Sequence, residues 1–185
     1  MDRKERLKQV MIDEAETIRK VAERVDYNVM SQITELLCQV KKNSKKVILA
    51  GCGTAGQAAK RIAHTLSVVE IPAFFLSPAD SIHGGLGAMQ QGDILILLSK
   101  SGNTQEILNY IPAAQKKGLT VIGVTENENS KLGQSADIVL KLKLTGSRIN
   151  GESSPLPAPW LLFPLLMPSP LRPWRKQGIQ RKSFI

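Results

Sequence analysis

The stretch DILILLSKSGNTQEI (residues 93–107) joins a run of strand formers to a segment with helical spacing. Its first part is apolar without alternation, the mark of a strand covered on both faces, as in a parallel sheet. Its middle carries Ser99, Ser101, Gly102, Asn103 and Thr104, more hydroxyl and amide groups than a turn requires. Capping the next helix takes a single Ser, Asn or Thr. Three hydroxyls within six residues suit the oxygens of a phosphate monoester. They would be joined by a glycine that lets the backbone turn and by the unpaired amides of a helix expected to begin at Thr104.

Outward from this stretch the same rhythm recurs. KVILA (46–50) reads as a buried strand, followed by GCGTAG and the helix QAAKRIAHTLSVV. IPAFFL (71–76) is the next strand, then SPADSIHGGLGAM as mixed loop and helix. After SKSGNT come the helix TQEILNYIPAAQKKG, the strand LTVIGVT (119–125), a short helix over 130–134 and the strand ADIVLKL (136–142). Strands alternating with helices at short spacing predict an α/β three-layer sandwich around a five-stranded parallel sheet. Ligands of such sheets sit beyond the carboxyl ends of the strands, where both GCGTAG and SKSGNT fall.

Ahead of the first strand, Leu7, Val10, Met11, Ala15, Ile18, Ala22, Val25, Val29, Ile33, Leu36, Leu37 and Val40 keep helical spacing. Two N-terminal helices are expected, broken near residues 26–28 with Asp26 or Asn28 capping the second, and packing on the domain or a partner subunit. The 185 residues suit one domain, with these helices over 1–45 and the α/β unit over 46–155. No apolar run approaches the ~20 residues that span a bilayer. The charged start MDRKERLKQ lacks a signal-peptide core, so a cytoplasmic protein without membrane contact is expected. Cys38 and Cys52 offer neither a disulfide framework nor metal spacing. The net charge is +9, of which +5 falls from Leu144 onward. In the body the basic residues are interspersed with acids, which argues against nucleic acid as a partner.

GCGTAG satisfies G-x-G-x-x-G with Gly51, Gly53 and Gly56, but the second strand ends in Leu76-Ser77-Pro78 without the acid that would hold a ribose. Two readings stay open, glycines for tight packing or a phosphate site at a helix start. His83 lies in SIHGGLG as an acid–base group or a surface residue, and His64 reads as packing or surface in its helix. Glu152 in NGESSP is uninformative alone.

GCGT after the first strand, S-x-S-G-x-T after the third and the intervening PADSIHGGLG resemble the SIS (sugar isomerase) domain. The resemblance runs over about residues 3–155 and lies nearest the arabinose-5-phosphate isomerase-like and phosphosugar isomerase branch. It implies a flavodoxin-like (Rossmann-like) parallel sheet, a bound sugar phosphate, and homodimers or homotetramers whose sites draw on neighbouring subunits. Ser99, Ser101 and Thr104 would hold the phosphate, helped by Gly53, Thr54, Gly102 and Asn103. His83 would face the sugar, and Glu152 aligns with a glutamate of the family's E-x-x-P stretch, a base or a contact. The implied reaction is aldose–ketose isomerisation through an enediol, with no cofactor and no metal. The alternative is a non-catalytic sugar-phosphate sensor. As half of a transcription regulator it would need a helix-turn-helix, for which residues 1–45 are too short and too lightly basic.

Thr54 stands where the arabinose-5-phosphate branch has Lys, and Asn103 where it has Glu, so a different phosphosugar is expected. The tail departs further. Seven of the chain's ten prolines lie in residues 155–173, and 156–185 is expected to be disordered or the product of a shifted reading frame. One codon choice for residues 156–163, shifted by two bases, reads Ala-Ser-Ser-Met-Ala-Thr-Ile, close to the small-residue helix of the family. The printed tail lacks that helix and the family's histidine loop, so this chain is expected to be inactive as an isomerase if the tail is native.

Overall fold

A computed structural model describes residues 2–142 in full and the backbone of 148–149 and 152–153. The proline-rich stretch from Ser154 onward, expected above to be aberrant, lies outside the described residues.

Two helices lead, α1 (Arg3–Arg24) and α2 (Tyr27–Lys42). The break between them is made by Asp26, whose carboxylate accepts from the amides of Asn28 at 2.8 Å and Val29 at 3.2 Å. Those amides are among the first of α2 and have no partner inside it, so the acid starts the second helix just after α1 ends in the extended backbone of Val25. The α/β unit follows as β1 (Val47–Gly51), α3 (Gly53–Val68), β2 (Ala73–Phe75), α4 (Pro78–Ser81), β3 (Ile94–Leu98), α5 (Gln105–Leu108) and α6 (Ile111–Lys117). Then come β4 (Thr120–Thr125), α7 (Lys131–Ser135) and β5 (Ile138–Lys141). A 3-10 turn at Gly85–Ala88 lies between α4 and β3, and the strand pair β6 (Arg148–Ile149) and β7 (Glu152–Ser153) follows β5.

The five main strands form one all-parallel sheet in the order β2-β1-β3-β4-β5. The apolar runs behave as expected of strands covered on both sides. Along β1 and β3, Leu49 and Ile96 face the side packed by α2 and α3, with Ile33, Leu37 and Leu66. Ile48, Leu95 and Leu97 face the other side, with Ile107, Tyr110 and Leu132. All of these side chains are fully buried. Burying each stabilises the fold by about 1.5–3 kcal/mol before entropy is subtracted, so the sheet's two faces carry most of the cohesion.

At the amino ends of the strands Asp93 is almost wholly buried, yet its acceptors are filled by the amides of Lys46 and Gln90 and by the Lys46 ammonium at 2.7 Å. It fastens the start of β1 to the start of β3. Among the described residues no helix is long and apolar enough to cross a membrane.

One element differs from the sequence expectation. TQEILNYIPAAQKKG is not a single helix but α5 and α6, parted at Asn109 and Tyr110. Pro112 has no amide to give the carbonyl of Leu108, and its ring would collide with that carbonyl in a continuous helix. The helix start expected at Thr104 is therefore a four-residue piece with Thr104 as its N-cap.

Candidate functional site

The strand order reverses between β1 and β3, so the loops leaving their carboxyl ends run to opposite sides and open a crevice between them. A pocket of about 640 Å³ occupies it. One wall is Cys52, Thr54 and Ala55, from the entrance to α3. The opposite wall is Leu98, Ser99, Lys100, Ser101, Asn103 and Thr104, and Glu126 and Asn127 close the side nearest β4.

The loop after β3 is shaped by its own polar groups. The buried Ser99 hydroxyl lies 2.8 Å from that of Thr104 and accepts from the Gly102 amide at 3.1 Å. The Ser101 hydroxyl accepts from the Asn103 amide at 3.2 Å. Gly102 adopts φ +68°, and a Cβ there would sit 1.9 Å from the Ser130 hydroxyl oxygen. Only glycine satisfies both the left-handed backbone and that approach. The loop is braced from the next one: the Leu132 amide donates to the Gly102 carbonyl at 3.0 Å, and the Lys131 amide to Asn103 Oδ1 at 3.1 Å. Thr125 Oγ1 and the Glu126 amide both donate to the Lys100 carbonyl, each at 3.1 Å. Among the described residues none accepts from the amides of Ser101, Thr104 or Gln105. These N–H groups and the exposed Ser101 hydroxyl remain for a ligand rich in acceptor oxygens.

The GCGTAG loop resolves into two functions. A Cβ on Gly51 would lie 2.7 Å from the Ala55 carbonyl, and one on Gly56 2.7 Å from the Gly51 carbonyl. These two glycines let α3 close onto the end of β1. Gly53 adopts φ +53° with open space around it, and the exposed Thr54 beside it lines the crevice. Burial, then the Glu106 carboxylate, push the Cys52 thiol up from its usual pKa, which keeps it protonated and a poor nucleophile.

Of the residues expected from sequence, Thr54, Ser99, Ser101, Asn103 and Thr104 are brought onto one pocket, with Gly53 and Gly102 in the loops that carry them. His83 is exposed on the neighbouring loop after α4 and does not line the pocket. Glu152 lies on β7, and its side chain falls outside the described residues. Lys100, Glu126, Asn127 and Cys52 line the pocket although nothing in the sequence assigned any of them a role there. The rule that ligands sit beyond strand carboxyl ends points to all four.

The structure thus joins a five-stranded parallel sheet to a hydroxyl-lined loop at its switch point. The chain belongs to the SIS domain family, whose pattern it matches over residues 42–147. It is 32% identical over 149 residues to arabinose 5-phosphate isomerase KpsF of Escherichia coli O6:H1, covering 80% of this chain and 45% of that protein. The chain thus spans about half the length of the curated relatives it matches. Among solved structures, it is 37% identical to a candidate sugar-phosphate isomerase from Listeria monocytogenes. That match has a TM-score of 0.77 and covers 90% of this chain and 85% of the other. An Escherichia coli CFT073 protein in complex with arabinose 5-phosphate is 25% identical at a TM-score of 0.77, over 88% of this chain and 86% of that one.

Proposed function

We propose that this pocket binds a sugar phosphate and that the protein interconverts its aldose and ketose forms. The observation that carries the reading is the loop 99–104, set at the switch point with hydroxyls and unpaired amides facing a crevice large enough for a pentose or hexose phosphate. The enediol route asks little of the fold. A base takes the C2 proton of the aldose, a proton passes from O2 to O1, and the carbon proton returns at C1. Every σ bond broken or formed is to hydrogen while the carbonyl moves from C1 to C2, so C1 is reduced as C2 is oxidised and no outside redox partner is needed. Ser101, Thr104 and the loop amides would hold the phosphate, while Thr54 would contact the sugar from the opposite wall. His83 and Glu152 are the proposed proton-transfer groups. His83 lies off the pocket of its own protomer, and that favours a site completed by a second copy of the chain. The apolar side chains exposed along α1, Leu7, Met11, Ile12 and Ile18, support such a homo-oligomer.

A panel of pentose and hexose phosphates tests the reading. Binding is followed by thermal shift, and exchange of the C1 or C2 proton with deuterated water by NMR. The chain as printed and one with the alternative reading frame after Ser154 are compared. Exchange in either supports an isomerase. Binding without exchange in both makes the protein a sugar-phosphate sensor, and absence of binding in both overturns the reading.

A further inference from the structure

We propose that Lys100 is the cationic contact for the ligand's phosphate, held in waiting by Glu126, and that phosphate binding transfers it from that carboxylate to the dianion. The inference rests on the sugar-phosphate reading and adds to it the charge that reading lacks. Hydroxyls and amides can surround a phosphate's oxygens but cannot neutralise its two negative charges. Among the described residues lining the pocket, Lys100 is the one cation and Glu126 the one carboxylate. They lie at the ends of adjacent strands, with Lys100 Nζ 3.8 Å from Glu126 Oε1.

The geometry is that of a pair made to part. At 3.8 Å the contact is an ion pair without a hydrogen bond, whereas an ammonium meeting a phosphate oxygen closes to about 2.8 Å. The Lys100 side chain is 64% exposed, so it is free to swing, and that of Glu126 is 26% exposed. The backbone beneath is fixed. The Lys100 carbonyl accepts from both the Thr125 hydroxyl and the Glu126 amide, so the ammonium moves on a stationary stem. Ser101, whose hydroxyl is exposed, is the next residue, which places one end of that swing at the loop expected to cradle the phosphate.

Glu126 has a second consequence. A carboxylate at the edge of an anion site repels the ligand, and the empty site tolerates it because Lys100 stands beside it. A phosphate that draws Lys100 away must overcome that repulsion. Neutral sugars lack the charge to displace the pair, so the two residues discriminate for phosphorylated ligands.

Calorimetric titration of the full chain with inorganic phosphate and with arabinose 5-phosphate tests this. Lys100→Met is expected to weaken both by about tenfold and to flatten the dependence of affinity on salt. Glu126→Gln is expected to tighten both several-fold, and Lys100→Met combined with Glu126→Gln to remain weaker than wild type. Because both side chains are exposed or half-exposed, thermal melts should stay within a few degrees of wild type. A Lys100→Met variant that melts normally and binds as wild type overturns the proposal while leaving the sugar-phosphate reading intact. Wild-type protein that binds neither probe overturns both. Weakening by Glu126→Gln equal to that by Lys100→Met also overturns it, since the carboxylate would then be a ligand contact.

Discussion

Gly102 is the residue on which the 99–104 loop turns, and its substitution should be the most damaging in the candidate site. Gly102→Ala forces a Cβ into the Ser130 hydroxyl at a backbone angle that L-residues avoid. It is expected to cost about 2–4 kcal/mol in urea unfolding and to abolish sugar-phosphate binding. Ser101→Ala removes only an exposed hydroxyl, and should lower affinity about tenfold at unchanged stability. Equal affinity in that variant would remove the loop from the site. Tyr110, fully buried, donates its hydroxyl to the Leu76 carbonyl at 2.8 Å. Burial, opposed by a hydrogen bond with Ser81 and reinforced by Cys52 and Asp80, pushes it up to about 12. The folded protein therefore holds this proton more tightly than the unfolded chain. The stability it contributes is complete below pH 10 and is lost between about 10 and 12. Unfolding followed at pH 8 and pH 11 should show this alkaline loss reduced in Tyr110→Phe, and retained in Tyr27→Phe, whose ring is exposed.

At the scale of elements, the strands were legible because each is an apolar run ended by glycine or hydroxyl residues, and the Asp26 cap because its carboxylate competes directly for helix amides. Other features were less so. Apolar spacing continues past Pro112 and masks the missing amide, so the sequence reads as one helix where the chain forms two. The pocket's charged pair is hidden in the sequence because Lys100 and Glu126 are 26 residues apart and meet only once β3 and β4 pair. His83 stands out through its glycine-rich setting, and no local pattern says that it lies off the pocket. The fastening of β1 to β3 through Asp93 was equally silent, being a contact across 47 positions. Asp93→Ala should strand the Lys46 and Gln90 amides and the Lys46 ammonium, at about 3 kcal/mol in chemical denaturation. A loss below about 1 kcal/mol would show that water replaces the carboxylate there.

For the whole molecule, the face that asks for a cover is that of α1. Its residues Leu7, Met11, Ile12 and Ile18 are between 48% and 73% exposed, although the helix keeps its apolar spacing throughout. If a second copy packs there, replacing Leu7 and Met11 by Glu should lower the mass seen by light scattering to that of one chain. An unchanged mass would assign the interface to another face. The bracing of the 99–104 loop by the start of α7 carries a different implication, for how the protein can be recombined. The Gly102 carbonyl and the Asn103 side chain take their hydrogen bonds from Leu132 and Lys131, so residues 99–132 form a single inheritable block. Chimaeras with a relative should survive crossovers at 69–72. Those cut inside the block should fail, even where every residue they exchange lies outside the pocket.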